Sequence, residues 1–131
     1  MQRIALILLL TFLGGNALAE WMDVGGDNAS TVFVDPSSIR KAGNYEEMLS
    51  LFDTDDAEVI GDISFLSSKS LDEFDCEKER SRTLAFYWYS ENMGKGKVLY
   101  TNSTPGEWRD DLPNSLNGTL WMIACGKQAQ R

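Results

Sequence analysis

No histidine occurs among the 131 residues, and there are only two cysteines and three prolines. Each scarcity excludes something. Without histidine there is no Ser-His-Asp triad, no Cys-His pair and no histidine-bearing zinc site, and the sequence nominates no catalytic residue, no metal site and no cofactor. Basic residues are also scarce, with 12 lysines and arginines against 20 aspartates and glutamates. A balance of that sign argues against nucleic acid and anionic membrane surfaces as partners. Long apolar runs are missing as well. The run from Ile4 to Leu13 is too short for a bilayer, which takes about 20 residues, so no transmembrane anchor is expected.

What that run does fit is an export signal. Arg3 precedes it and Ala17-Leu18-Ala19 places small residues where a signal peptidase reads them, so residues 1–19 are expected to be a signal peptide cleaved between Ala19 and Glu20. Losing the leader removes one arginine, which leaves eleven basic and twenty acidic side chains and a net charge of −9. Residues 20–131 then form one small domain with room for a core. Cys76 and Cys125 are an even pair behind an export signal, which reads as a disulfide formed in an oxidising compartment; two buried thiols are the alternative. Neither cysteine is near Ala19. No lipid anchor is expected, and the protein should reside in the periplasm or outside the cell.

Short runs of β-branched and aromatic residues alternate with turn signals about every ten residues, the rhythm of an antiparallel meander. Strands are predicted at Trp21–Val24, ending at Gly25-Gly26, at Thr31–Val34, ending at Asp35-Pro36-Ser37-Ser38, and at Tyr45–Asp53, with both faces covered. The acidic stretch Asp53–Glu58 reads as a solvated loop, and Val59–Leu66 has no settled structure. Further strands are predicted at Ser67–Cys76, Arg82–Ser90 and Val98–Asn102, the last two as a hairpin. Leu112, Leu116, Leu120, Ile123 and Ala124 recur at helical spacing, with Ser115 able to cap the start and Gly126 the end. Gly118 costs a helix about 1 kcal/mol relative to alanine, so the start near Thr119 is an option. The fold class is α+β: about six antiparallel strands packed by a C-terminal helix, with one disulfide.

Few constellations suggest chemistry. The acidic stretch lacks the glycine and glutamate that an EF-hand needs six and twelve positions in, and no carboxylate pair stands out for glycosidase work. Arg80 and Arg82 share one face of an extended chain and could clamp an anion, although Glu77 and Glu79 favour cross-strand ion pairs. Alternation sends Tyr87 and Tyr89 to one face and Trp88 to the other. With Trp108 these tyrosines are candidates for a protein-binding face, since such aromatics are enriched among interface hot spots. Three Asn-X-Ser/Thr triplets, at Asn28, Asn102 and Asn117, decide little.

Taken in order, Thr31-Val32-Phe33-Val34-Asp35-Pro36-Ser37-Ser38-Ile39-Arg40, Leu66–Ser70, Phe74-Asp75-Cys76, Glu79, Arg80 and Arg82 form the first half of a pattern. Tyr89-Ser90, Asn92-Met93-Gly94, Tyr100, Asn102-Ser103, Pro105-Gly106-Glu107-Trp108, Thr119-Leu120-Trp121 and Ala124-Cys125-Gly126 complete it. This pattern resembles the bacterial surface-adhesin protein E family. The resemblance implies a six-stranded antiparallel sheet with a C-terminal helix, a Cys76–Cys125 bond and a Gram-negative source, which makes the triplets irrelevant. It also implies a non-enzymatic protein of the cell envelope that binds other proteins, matrix and serum proteins of a host among them. The lipidated cysteine of the family's adhesin is absent here, which argues against stable display on the outer membrane, and the lysine-rich surface segment that an acidic host ligand would favour is absent too, so no ligand-binding residue is carried over. The alternative is an envelope-stress protein or a periplasmic protein for a small anionic ligand, held between sheet and helix with Arg80 and Arg82 reading its charge.

Overall fold

The computed structural model describes residues 20–127; the expected leader, Ala19 included, lies outside them. Strands follow one another as an antiparallel meander: β1 (Met22–Gly26), β2 (Ser30–Ala42), β3 (Tyr45–Ile60), β4 (Ile63–Asp75), β5 (Arg80–Tyr89) and β6 (Val98–Asn102). A seventh strand, β7 (Arg109–Asp110), pairs with β5 beyond β6, and α1 (Leu116–Ala124) closes the described fold. The predicted strands all form, and sheet predominates. Two of the tight hairpins use Gly43-Asn44 and Gly61-Asp62, each with a glycine at positive φ in the first turn position.

Three expectations need correction. Pro36 does not end the second strand, because β2 continues to Ala42 through an irregularity between Asp35 and Arg40. Proline lacks a ladder donor and is tolerated there. Asp35 accepts from the Ser37 N–H and hydroxyl, and Ser38 Oγ accepts the Leu49 N–H at 2.8 Å, so side chains satisfy what the ladder does not. The acidic stretch is likewise part of a strand: β3 runs on to Ile60, with its register broken between Asp53 and Glu58. Thr54 is buried at that break and donates to the carbonyls of Ala29 and Asp56, while residues 55–60 are exposed. The unsettled segment resolves into the end of β3 and the beginning of β4.

Smaller breaks place one extra residue in other strands: Val24 in β1, Leu84 in β5 and Leu99 in β6. Each is a β-bulge.

The third correction concerns the helix. Ser115 caps its start as expected, its Oγ accepting the Gly118 N–H at 3.0 Å, so the helix begins at Leu116 rather than near Thr119 and Gly118 lies inside it. A methyl group at Gly118 would drive into the Leu112 carbonyl, which explains why the glycine is tolerated despite its propensity. Leu112 precedes the helix and is 64% exposed, and Leu116 is 38% exposed. The buried stripe is Leu120, Trp121 and Ala124, packed on Val34, Met48 and Phe74. Trp121 takes the place that spacing assigned to Leu116. It is aimed inward by a hydrogen bond from Nε1 to the Asp75 carbonyl at 2.8 Å, next to the disulfide between Cys76 and Cys125. Gly126, at φ 68, ends the helix as expected.

Candidate functional site

Cross-strand register sorts the side chains. Val34, Ser50, Ser70, Phe86 and Asn102 are successive Cα partners, and Phe52, Ser68, Trp88 and Tyr100 form the next row. Both rows belong to the face that carries Val34, Met48 and Phe74, and so to the face packed by α1. Tyr87, Tyr89, Arg80 and Arg82 fall on the opposite face.

That opposite face carries a row of charges four strands wide. Arg40 pairs with Glu47, Glu47 lies across from Glu73, and Glu73 lies across from Arg82. Arg40 Nη2 reaches Glu47 Oε1 at 3.0 Å, and Arg82 Nε reaches Glu73 Oε1 at 2.9 Å. Both glutamates are buried, which is sustainable because each adjacent carboxylate has an arginine of its own. Arg80 Nε binds Asp75 Oδ2 at 3.0 Å, and Asp75 Oδ1 accepts the Glu77 N–H. Burial pushes the Asp75 carboxyl up, but the Arg80 hydrogen bond and charge, with the backbone N–H groups, outweigh it and hold it below the ordinary range.

Arg80 and Arg82 are thus ion-paired and face away from the helix. They do not line a cavity between sheet and helix, which removes the anion clamp expected there. Trp108 covers them, with the guanidinium carbons of Arg80 and Arg82 at 4.5 and 4.8 Å from its ring centroid and Tyr45 at 5.0 Å. Beside this cluster is a polar cleft of about 420 Å³, lined by Lys41, Lys78 and Arg80 and also by Asp75 and Glu77.

Of the other nominated tyrosines, Tyr89 is half-buried beneath the Lys69 ammonium, 5.3 Å from its ring, and Trp21 lies on the same ammonium at 5.9 Å. Burial, with Tyr87 adding a smaller share, pushes the Tyr89 phenol up. Tyr87 and Tyr89 therefore share a face with Trp108, yet Tyr89 packs on Lys69 while Trp108 packs on Arg80, Arg82 and Tyr45. A single 3₁₀ turn, Asn92–Gly94, folds back near them: Asp53 Oδ1 accepts the Met93 N–H at 2.7 Å and Ser67 Oγ accepts the Gly94 N–H at 2.8 Å.

The aromatic group missed by sequence reasoning is on the helix side, beyond the reach of α1. Trp88 stacks on Phe65 at 4.4 Å and meets Tyr100 at 4.8 Å, with Phe86 5.8 Å from Trp88. Tyr100 is 39% exposed, and its neighbours Val98 and Leu99 are 53% and 37% exposed. The signal was present in the alternation that puts Tyr100 opposite Trp88. Among the described residues no helix is long and apolar enough to cross a membrane.

Solved structures share this architecture. Haemophilus influenzae protein E in its second crystal form superimposes with a TM-score of 0.66 at 12% identity, over 85% of this chain and 91% of that one. Protein E from non-typeable Haemophilus influenzae gives a TM-score of 0.63 at 13% identity, over 86% and 79%. At such identities the likeness establishes the fold. Among curated proteins none matches. The sequence profile of the family described as surface-adhesin protein E matches residues 21–126. That span holds all seven strands, the helix and both bridged cysteines, and by it the chain belongs to the surface-adhesin protein E family.

Proposed function

We propose that this is an exported, non-enzymatic binding module of the cell envelope, whose ligand is a protein and, in keeping with the family, a host protein at the cell surface. The observation that carries the reading is the apolar flank at Val98, Leu99 and Tyr100. These three consecutive residues are exposed on an edge strand, and Tyr100 is backed by Trp88 and Phe86. A tyrosine braced by packed aromatics loses little rotamer freedom on binding, which suits a hot spot.

Biolayer interferometry of the purified protein against matrix, serum and envelope proteins tests the proposal. At least one saturable partner is expected, with Tyr100→Ala weakening binding about tenfold or more while leaving the melting temperature within a few degrees. If no partner binds above background, or if Tyr100→Ala combined with Leu99→Ser binds as well as the parent, the reading fails.

A further inference from the structure

Three buried polar oxygens have no hydrogen-bond partner among the described residues: both carboxylate oxygens of Asp111 and the hydroxyl of Ser81. Asp111 is 4% exposed and Ser81 fully buried. They are neighbours in the fold. β7 pairs with β5 through Arg109 opposite Ser81 and Asp110 opposite Arg80, and Asp111 then donates its backbone N–H to the Glu79 carbonyl at 2.8 Å. Buried polar groups are nearly always paired, so two orphans side by side call for a physical account.

The surrounding charges do not supply one. Arg109, from β7, is engaged by Asp72 of β4 at 3.4 Å. Asp72 and Asp110 bring further negative charge, and α1 carries no titratable side chain. Burial drives the Asp111 carboxyl above its ordinary range. The Ser81 hydroxyl, close enough to donate to the ionised carboxylate, and the Arg109 charge pull it down, and Asp72 and Asp110 add to the rise. A neutral carboxyl is far easier to bury than a carboxylate, and it brings a donor for which Ser81 Oγ is the acceptor at hand.

We propose that Asp111 is a proton-operated latch: protonated, it is buried without charge, pairs with Ser81 and holds β7 against β5, and ionised, it keeps only the Ser81 hydroxyl as a side-chain donor, has no cation of its own, and the cost of burying its charge loosens that contact. β7 is two residues long, and the residue before it is Trp108, which lies on the other face over Arg80 and Arg82. The same short strand therefore carries the latch on one side and the aromatic cover on the other. Acid seats Trp108, and neutral pH loosens it.

Carbon-13 titration of the Asp111 carboxyl, together with fluorine NMR of fluorotryptophan-labelled protein, reads both ends of the device. The carboxyl is expected to titrate above about 3.9, the value of a free aspartate, and the Trp108 resonance should move with the same midpoint. Asp111→Asn should hold Trp108 at its acid position throughout and raise the melting temperature at neutral pH by about 4 °C. Ser81→Ala, which removes a donor to the ionised carboxylate, should move the shared midpoint of Asp111 and Trp108 to higher pH. Titration of Asp111 at or below the free value overturns the proposal, as does a Trp108 signal that is flat between about pH 4 and pH 7. The wild-type titrations decide the matter even where a variant does not fold.

Discussion

Replacing Cys76 and Cys125 together with serine opens a loop closed by two residues 49 apart in sequence. In the chain-entropy account, a loop of that length restricts the unfolded chain by about 4 kcal/mol at 25 °C, and native bridges in small exported domains contribute about 2–5 kcal/mol. The native contacts around the bridge remain: Leu120, Trp121 and Ala124 still pack on Val34, Met48 and Phe74, and Trp121 still donates to the Asp75 carbonyl. The double substitution should therefore cost about 3 kcal/mol, acting through the unfolded state, and leave the helix docked. A domain of this size has a urea dependence near the low end of about 1–3 kcal/mol per molar, so the midpoint should fall by about 2 M. Urea unfolding of the parent and the double variant, followed by far-ultraviolet circular dichroism and tryptophan fluorescence, provides the measurement. A midpoint that moves by less than about half a molar refutes the entropic reasoning. Loss of helical signal before any denaturant is added refutes the claim that packing alone keeps α1 in place.

Gly118→Ala should destabilise despite a helix-propensity gain of about 1 kcal/mol. The new methyl meets the Leu112 carbonyl, a backbone group that cannot rotate away, and the net loss should be about 2 kcal/mol, read as a drop of about 8 °C in thermal melting. Trp121→Phe keeps most of the buried ring but removes the donor to the Asp75 carbonyl; differential scanning calorimetry should show a cost of about 1–2 kcal/mol. Arg80→Gln tests the ion pair through pH. The carboxyl of Asp75 has a folded pKa below its unfolded value of about 3.9, so its stabilisation is present above that value and is lost as pH falls through the folded pKa. Without Arg80 the acid limb of the stability profile should begin at higher pH, and superimposable urea midpoints across the acid range would sink the assignment.

Much of the fold is legible because strand alternation and turn residues are local signals. Tyr45–Asp53 and Arg82–Ser90 show where the sheet is, and the even cysteine pair anticipates the bridge. What local signals miss is long-range compensation. Nothing near Pro36 reveals that Ser38 will accept the Leu49 N–H across the ladder, and nothing near Asp53 reveals that its carboxylate will hold the Met93 N–H. The inward face of α1 is likewise decided by the Asp75 carbonyl and Cys76, forty-odd residues away, rather than by spacing alone. At the candidate surface, sequence nominated Tyr87, Tyr89 and Trp108, whose faces alternation places together. It passed over Tyr100, because how much of a residue is exposed depends on where the helix stops covering the sheet.

The extra residues Val24 and Leu99 sit in β1 and β6, the strands at the two ends of the six-strand ladder. A straight, regular edge offers a row of donors and acceptors on which another chain can crystallise strand by strand. At each end of this ladder a kink breaks that row. Open edges of that kind let copies of a sheet protein zip into fibres. Bulged outermost strands of this kind disfavour sheet growth by further strands.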